Sequence, residues 1–238
     1  MVMSKSLLSG DRTMSKRPKV YGYAASTYTR MALVGAEKKG LDYDFQPVAS
    51  WDGYDKDPEY IGLHPFLKVP VLEHDKVRLT ETIAILVYID RAFEGPHLTP
   101  SDPLALAKMW EIISSTISYA WPYWVPVLAT NRLFNPMADD AVDENLISSR
   151  LPEMCGAAEL IGNYLTARSG GFDLADIVVA RSLKYATETP EWHDIAKAAP
   201  RLAEWWESTK TRPTIAKHMP DTDWQQRTED YASRKSNP

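Results

Sequence analysis

The sequence predicts two domains, a small α/β domain followed by an all-α domain. Between residues 18 and 94, short apolar runs at strand spacing alternate with helical patterns, as is typical of an α/β unit. Over residues 102–238, long stretches repeat apolar residues at helical spacing. A linker with glycine and proline, residues 95–101, separates the two patterns. Residues 1–17 carry charges without apolar periodicity, so we expect a disordered extension.

The elements of the first domain are predicted in the order βαβ, a connection, then ββα. Residues 19–24 and 41–48 are predicted strands, the second because apolar and polar residues alternate. A helix between them begins near Ser26 and ends at Gly40, where glycine favours a stop. The remaining predicted elements are strands at residues 69–73 and 76–79 and a helix that starts at residue 80.

Four helices are predicted in the second domain. Apolar spacing predicts helices over residues 105–118 and 151–165. A third helix opens near residue 172, where Asp173 and Asp176 have the spacing of a capping box. The fourth helix starts at residue 200 and is closed by Arg212-Pro213.

Composition excludes several function classes. The 27 basic and 32 acidic residues give a net charge of −5, which argues against nucleic acid as a partner. No apolar run is long enough to span a membrane, so we expect no membrane partner. The single cysteine, Cys155, cannot close an intrachain disulfide and fits a small core residue, so we expect a cytoplasmic protein.

Motifs for the commoner catalytic chemistries are also missing from the sequence. The five histidines do not pair at helical spacing, so no metal site is expected. The Gly-x-Ser-x-Gly elbow of hydrolases and the glycine-rich loops that hold phosphates do not occur.

One constellation of residues remains, at three turns of the first domain. Pro70 follows a loop at the start of a strand, so it can be cis and leave the Val69 backbone available to a peptide-like ligand. Glu81 and Thr82 sit at a helix start, which can hold a carboxylate while Glu81 takes an ammonium group. Ser26, at the other helix start, can direct a hydroxyl at a thiol. The set predicts a binding site although each residue alone is weak evidence.

The spacing of this set resembles that of the cytosolic glutathione transferases over about residues 19–219. The first half is most similar to the serine-type members, the phi class and its bacterial relatives. The matching motifs are Ser26, Thr29-Arg30, the run 37–43, the run His64-Pro65-Phe66-Leu67-Lys68-Val69-Pro70 and Glu81-Thr82. The resemblance implies a thioredoxin-like domain joined to a helical domain, and a homodimer.

The resemblance also implies how glutathione, the co-substrate, is bound. Val69 would pair with its cysteinyl backbone, Glu81 and Thr82 would hold the γ-glutamyl end, and Lys56 and Lys68 the glycyl carboxylate. Ser26 would be the catalytic residue. A thiol with an ordinary pKa of ~8.5 is mostly protonated near neutral pH, and a hydrogen bond from the Ser26 hydroxyl would stabilise the reactive thiolate. Thr29, one helical turn away, is the competing hydroxyl.

The helical domain is expected to supply the pocket for the small apolar electrophile. The run 118–126 holds four aromatic residues within six positions, and its Pro122 and Pro126 break helix regularity. Tyr119, Tyr123 and Trp124 are therefore the candidate pocket residues, with a core cluster as the alternative.

Three functions fit these residues. The first is a glutathione transferase that attacks an apolar electrophile. The second is a glutathione-dependent lyase, for aryl-ether cleavage, dehalogenation or isomerisation. The third is a binding protein of the same fold without catalysis, because a fold does not fix a function.

Overall fold

The computed structural model describes residues 17–23, 25–48, 58–137 and 139–218. Of the predicted N-terminal extension, only Arg17 falls in these ranges, and its guanidinium lies 2.7 Å from the Asp42 carboxylate. The division into domains at residues 95–101 stays a prediction.

A four-stranded mixed sheet forms the first half of the chain. Its strands are β1 (Lys19–Gly22), β2 (Asp44–Pro47), β3 (Val71–His74) and β4 (Val77–Leu79). The strand order is β2-β1-β3-β4, with β1 and β2 parallel and β3 antiparallel to both β1 and β4. A helix connects the parallel pair, since parallel strands need a crossover, and a tight turn at Asp75 connects β3 to β4.

Three helices belong to this half: α1 (Thr27–Lys39), α2 (Pro58–Ile61) and α3 (Thr82–Ala92). Helix α1 ends at Gly40, whose positive φ of 71° suits glycine, and two lysines stand in its last turn. Helices α1 and α3 pack together over β1 and β3 through Val20, Leu33, Leu72 and Ile89. This arrangement confirms the predicted βαβ then ββα order.

Gly22 permits a close approach of β1 to α1. A Cβ atom placed on Gly22 would lie 2.4 Å from the Thr29 hydroxyl oxygen, a distance that real side chains do not adopt. The end of β1 and the first turn of α1 are therefore held together, which fixes the position of the turn that precedes α1.

The second half of the chain is helical. Its α-helices in the described ranges are α4 (Pro103–Ser115), α5 (Asn135–Met137), α6 (Glu144–Ala167), α7 (Leu174–Leu183), α8 (Trp192–Ala198), α9 (Pro200–Lys210) and α10 (Pro213–Lys217). The predicted second helix, 151–165, is longer than expected because Asp143 caps its start. Pro213 opens α10 after α9 has ended, since proline is tolerated at a first helical position.

Between α4 and α5 the chain winds as a π-helix, over Thr116–Ala120 and Tyr123–Phe134. Pro126 lies inside the second segment and has no backbone N–H to donate. The sequence predicted irregularity near Pro122 and Pro126, and the observed irregularity is a change in winding.

The two halves share a hydrophobic core. Met31 and Leu86 from the first half belong to the same buried cluster as Trp124, Ile161 and Val178 from the second. The four-stranded mixed sheet followed by the helical half confirms the predicted fold class, a thioredoxin-like domain followed by a helical domain. None of the helices in the described ranges is long and apolar enough to cross a membrane.

Candidate active site

A cavity of about 440 Å³ lies where the first half of the chain meets the helical half. Its walls come from the turn before α1, the loop before β3, the start of α3 and the π-helical region. The lining residues are Tyr23, Ser26, Tyr28, His64, Lys68, Val69, Thr80, Glu81, Thr82, Ile83, Ile117 and Trp121. The volume lies within the range of small-molecule sites.

Ser26 stands at the start of α1 and lines this cavity. Its hydroxyl oxygen accepts a hydrogen bond from the Thr29 backbone N–H at 3.2 Å, as an N-cap does. That bond uses a lone pair of the oxygen, so the O–H remains available as a donor. The first turn of α1 has no acidic residue, so the positive end of the helix dipole is uncancelled there.

Thr29, the competing hydroxyl, lies elsewhere. Its side chain is fully buried against Gly22, and it does not line the cavity. Its hydroxyl oxygen has no hydrogen-bond partner among the described residues. Of the two hydroxyl residues, Ser26 lines the cavity and Thr29 does not, so Ser26 is the one that a ligand in the cavity can reach.

The loop before β3 forms another part of the cavity wall. The Val69–Pro70 peptide bond is cis, as predicted from the sequence. Lys68 and Val69 line the cavity, and the Tyr60 hydroxyl donates to the Lys68 carbonyl oxygen. Lys56 is also a predicted binding residue, but it lies outside the described residues.

The start of α3 also lines the cavity. Glu81 occupies the N-cap position with an extended backbone, and its side chain makes no capping hydrogen bond. Thr82, the first helical residue, is 6 % exposed, whereas Glu81 is exposed. The first backbone N–H groups of α3 and the Glu81 carboxylate therefore meet the cavity together.

A second cavity, of about 290 Å³, adjoins the first. The two share the side chains of Tyr23, Ser26, Tyr28 and Trp121. The second cavity is also lined by Ala25, Thr27, Val125, Pro126, Thr130, Phe134 and Tyr185. Since its walls are mostly apolar and Ser26 borders both spaces, a group held at Ser26 can meet an apolar molecule.

The three predicted pocket residues are not among the residues that line either cavity. Trp124 is fully buried in the helical core, Tyr123 packs against that core, and Tyr119 is 59 % exposed. The aromatic run does contribute to the site, but through Trp121, Val125 and Pro126. The aromatic content of the run indicates an apolar segment, but the packing of that segment decides which of its side chains face a cavity.

Among the lining residues that the sequence did not single out are Tyr28, His64 and Trp121. Tyr28 comes from α1 and Trp121 from the helical half, and their ring centroids are 5.0 Å apart. Burial lowers the pKa of His64, although the Glu81 carboxylate opposes the shift. The sequence feature that could have indicated Tyr28 is its position two residues after Ser26, in the first turn of the predicted helix.

Cys155 lies outside this site, on α6. It is half-buried against the helical core, and burial raises the pKa of its thiol, so it is a poor nucleophile near neutral pH. Within the described ranges, no group of three or more His, Cys, Asp or Glu side chains could hold a metal ion.

The chain is similar in sequence to known proteins. The family model described as "Glutathione S-transferase, N-terminal domain" matches residues 18–91. Glutathione S-transferase 4 of Zea mays is 28% identical over 211 residues, which cover 85% of this chain and 93% of that protein. A probable maleylacetoacetate isomerase 1 of Drosophila melanogaster is 31% identical over 114 residues, covering 47% of this chain and 46% of its own.

Solved structures agree with the sequence comparison. The crystal structure of glutathione transferase F7 from Populus trichocarpa superposes with a TM-score of 0.76 at 24% identity. The superposition covers 84% of this chain and 97% of the poplar chain. The thioredoxin-like sheet and the helical half thus occur together in both molecules.

Proposed function

We propose that this chain, which belongs to the cytosolic glutathione transferase family, activates the thiol of glutathione for attack on a small apolar electrophile. The observation that carries the proposal is the position of Ser26, an N-cap hydroxyl that borders both the larger cavity and the apolar one. Glutathione would occupy the larger cavity, and the electrophile the apolar cavity beside it.

The walls of the larger cavity suit the charges of the tripeptide. The Glu81 carboxylate would bind the γ-glutamyl ammonium, while the α3 N–H groups and the Thr82 hydroxyl would bind the adjacent carboxylate. Lys68 would bind the glycyl carboxylate at the other end, together with Lys56. The Val69 backbone and Pro70 would hold the cysteinyl residue between them, so the thiol would point toward Ser26.

Activation of the thiol follows from two local effects. The Ser26 O–H would donate a hydrogen bond to the sulfur, which favours the charged thiolate over the thiol. The uncancelled dipole of α1 stabilises the same negative charge. Both lower the thiol pKa from about 8.5, so more thiolate is present at neutral pH. Ser26 forms no covalent bond in this scheme.

A second candidate is a glutathione-dependent isomerisation, one of the lyase-type reactions that the residues allow. The likeness to the Drosophila isomerase favours it, because that protein is 31% identical over 114 residues. The mostly apolar wall of the second cavity favours conjugation instead, since it offers few partners for a charged substrate.

We also propose that the protein is a cytoplasmic homodimer. Phe66 is 76 % exposed on the loop before β3, and Leu104 is 68 % exposed on α4. Large apolar side chains exposed in both halves are what an interface between the first domain of one subunit and the helical domain of its partner needs. Light scattering at micromolar concentration tests this, and a particle of 26.9 kDa would contradict it.

A thermal shift experiment tests glutathione binding. A ligand at about 100 times its Kd stabilises the folded state by about 2.7 kcal/mol. For a chain of this size that corresponds to a melting temperature about 5 to 10 °C higher. The control is the isomeric tripeptide joined through the α-carboxyl of glutamate, which should give a smaller shift. No shift with glutathione, and no retention on immobilised glutathione, would contradict the proposal.

A further inference from the structure

Two hydroxyl groups in the wall of the apolar cavity are engaged within the protein. The Thr130 hydroxyl donates to the Val125 carbonyl oxygen at 3.2 Å. The Tyr185 hydroxyl donates to the Ala25 carbonyl oxygen, across the boundary between the two halves. Each hydroxyl has one hydrogen to donate, so neither has a further donor to offer a substrate.

Tyr28 differs from these side chains. It borders both cavities, and its ring packs against Trp121. Its hydroxyl has no hydrogen-bond partner among the residues that the structure describes, so its proton is available to a ligand. The indole nitrogen of Trp121 also lacks a partner within those residues, but it is enclosed by protein.

The hydroxyl of Tyr28 is a donor at physiological pH. Burial, and then the negative charge of Glu81, raise the pKa of Tyr28 to about 12. Its proton is therefore retained near neutral pH, and the group can donate a hydrogen bond without ionising.

We propose that the Tyr28 hydroxyl is a second catalytic donor, which binds the carbonyl oxygen of a conjugated, apolar electrophile held in the second cavity. The proposal rests on the proposed function, because it requires the glutathione thiolate at Ser26. A cavity of roughly 150 Å³ accepts benzene. The second cavity, at about 290 Å³, therefore has room for one substituted ring or a short conjugated chain.

The step balances without any further reactant. The thiolate sulfur forms a bond to the β-carbon of the conjugated carbonyl compound, and the electron pair of the double bond moves to the carbonyl oxygen. Tyr28 donates its hydrogen bond to this oxygen as negative charge develops there, which lowers the barrier. The α-carbon then takes a proton from water, which replaces the proton that the thiol released on ionising.

Tyr28→Phe tests the proposal, because it keeps the ring and removes only the hydroxyl. The two probe substrates are trans-4-phenyl-3-buten-2-one, an aromatic conjugated ketone, and benzyl chloride, which has no carbonyl oxygen. Loss of one donor to a developing oxyanion should lower kcat/KM for the ketone by about 10- to 100-fold. We expect kcat/KM for benzyl chloride to change less than about threefold, and Kd for glutathione less than about twofold, since neither uses the Tyr28 hydroxyl as a donor.

Tyr164→Phe is the matched control, because this tyrosine lies on α6 and lines neither cavity. Its values should equal those of the wild type for both substrates. Equal losses on ketone and halide in Tyr28→Phe, or a loss that appears in glutathione Kd, would overturn the role of Tyr28. Wild-type protein that binds glutathione and converts benzyl chloride but not the ketone would also overturn that role, while leaving the proposed function intact. Wild-type protein that converts neither the ketone nor benzyl chloride would contradict both the role of Tyr28 and the proposed function.

Discussion

Helices α3 and α7 both begin with an acidic residue at the N-cap, and the two carboxylates have opposite surroundings. At α7, Asp173 accepts a hydrogen bond from the Ala175 N–H at 2.8 Å, and Asp176 accepts one from the Asp173 N–H at 2.8 Å. At α3, the Glu81 side chain makes no capping bond and is exposed. The start of α7 is closed by its own residues, whereas the start of α3 has no side-chain cap.

The neighbours of each cap explain this difference. Arg168 reaches both carboxylates of α7, at 2.7 and 2.5 Å, and the Trp205 indole N–H lies 3.2 Å from Asp176. Buried charges need such partners, because an unpaired one is costly to fold. Glutamate is not among the favoured N-cap residues, so Glu81 leaves the first N–H groups of α3 open. A satisfied cap such as Asp173 stabilises its helix, whereas the uncapped start of α3 keeps N–H groups that a ligand could use.

The largest expected effect comes from breaking the closed cap. Asp176→Ala removes half of the capping box and leaves Arg168 with one carboxylate, so the free energy of unfolding should fall by about 3 to 5 kcal/mol. Calorimetry should show a melting temperature lower by about 6 to 20 °C. Glu204→Ala, at an exposed position on α9, is the control and should melt like the wild type. A drop of less than about 2 °C in Asp176→Ala would mean that the buried cap is not a stabilising element.

Local chemistry made the closed cap predictable from the sequence. Asp173 and Asp176 stand three residues apart before an apolar run, and the structure confirms the capping box. The same reasoning predicted Ser26 at a helix start, Gly40 at a helix end and the cis bond before Pro70, and the structure confirms each. These features depend on neighbours in the chain.

Cavity walls could not be predicted in the same way. Tyr28 and Trp121 meet across 93 positions of sequence, and only the packing of α1 against the helical half brings their rings together. The prediction of Tyr119, Tyr123 and Trp124 rested on the aromatic content of the run 118–126, which does not fix which of its side chains face a cavity. Sequence therefore indicated which segment forms the apolar cavity, and tertiary packing decided which side chains face it.

At the start of α1, the cap residue itself is expected to be the catalytic donor. Ser26→Ala should lower kcat/KM by about 10- to 150-fold, the equivalent of one charge-assisted hydrogen bond of about 1.5 to 3 kcal/mol. The pKa of the bound thiol should rise toward about 8.5, so the pH profile of kcat/KM moves to higher pH. Glutathione Kd should stay nearly unchanged, because binding is distributed over other residues.

Thr29→Val is the control for Ser26→Ala. It removes a buried hydroxyl that has no partner among the described residues, so stability and turnover should both be retained. If Ser26→Ala kept the wild-type rate and pH profile while the Thr29 variant lost both, the catalytic hydroxyl would belong to Thr29.

Removing the charge of Glu81 at the start of α3 should weaken glutathione binding and leave kcat unchanged. Glu81→Gln removes the charge that would hold the glutathione ammonium, and Kd should rise about 5- to 15-fold. That is the low end for a hydrogen bond to a charged group, because Glu81 is exposed and water screens it. Isothermal calorimetry measures the change, with Glu94→Gln, exposed beyond the end of α3, as the control. A lower kcat with an unchanged Kd would place Glu81 in the chemical step instead.

The smallest expected effect of the open cap is on Tyr28. The negative charge of Glu81 contributes to the raised pKa of about 12, because it disfavours a second negative charge on the phenol. Glu81→Gln removes that contribution, so the Tyr28 pKa should fall, but it should stay above about 10 because burial, the larger cause, persists. The measurement is the tyrosinate absorbance of Glu81→Gln during an alkaline titration, minus that of Glu81→Gln combined with Tyr28→Phe. The same subtraction with wild type and Tyr28→Phe gives the reference pKa. Equal values in the two pairs would show that the carboxylate does not act on the phenol. A fall to about 10 would show instead that the charge, and not burial, keeps Tyr28 protonated.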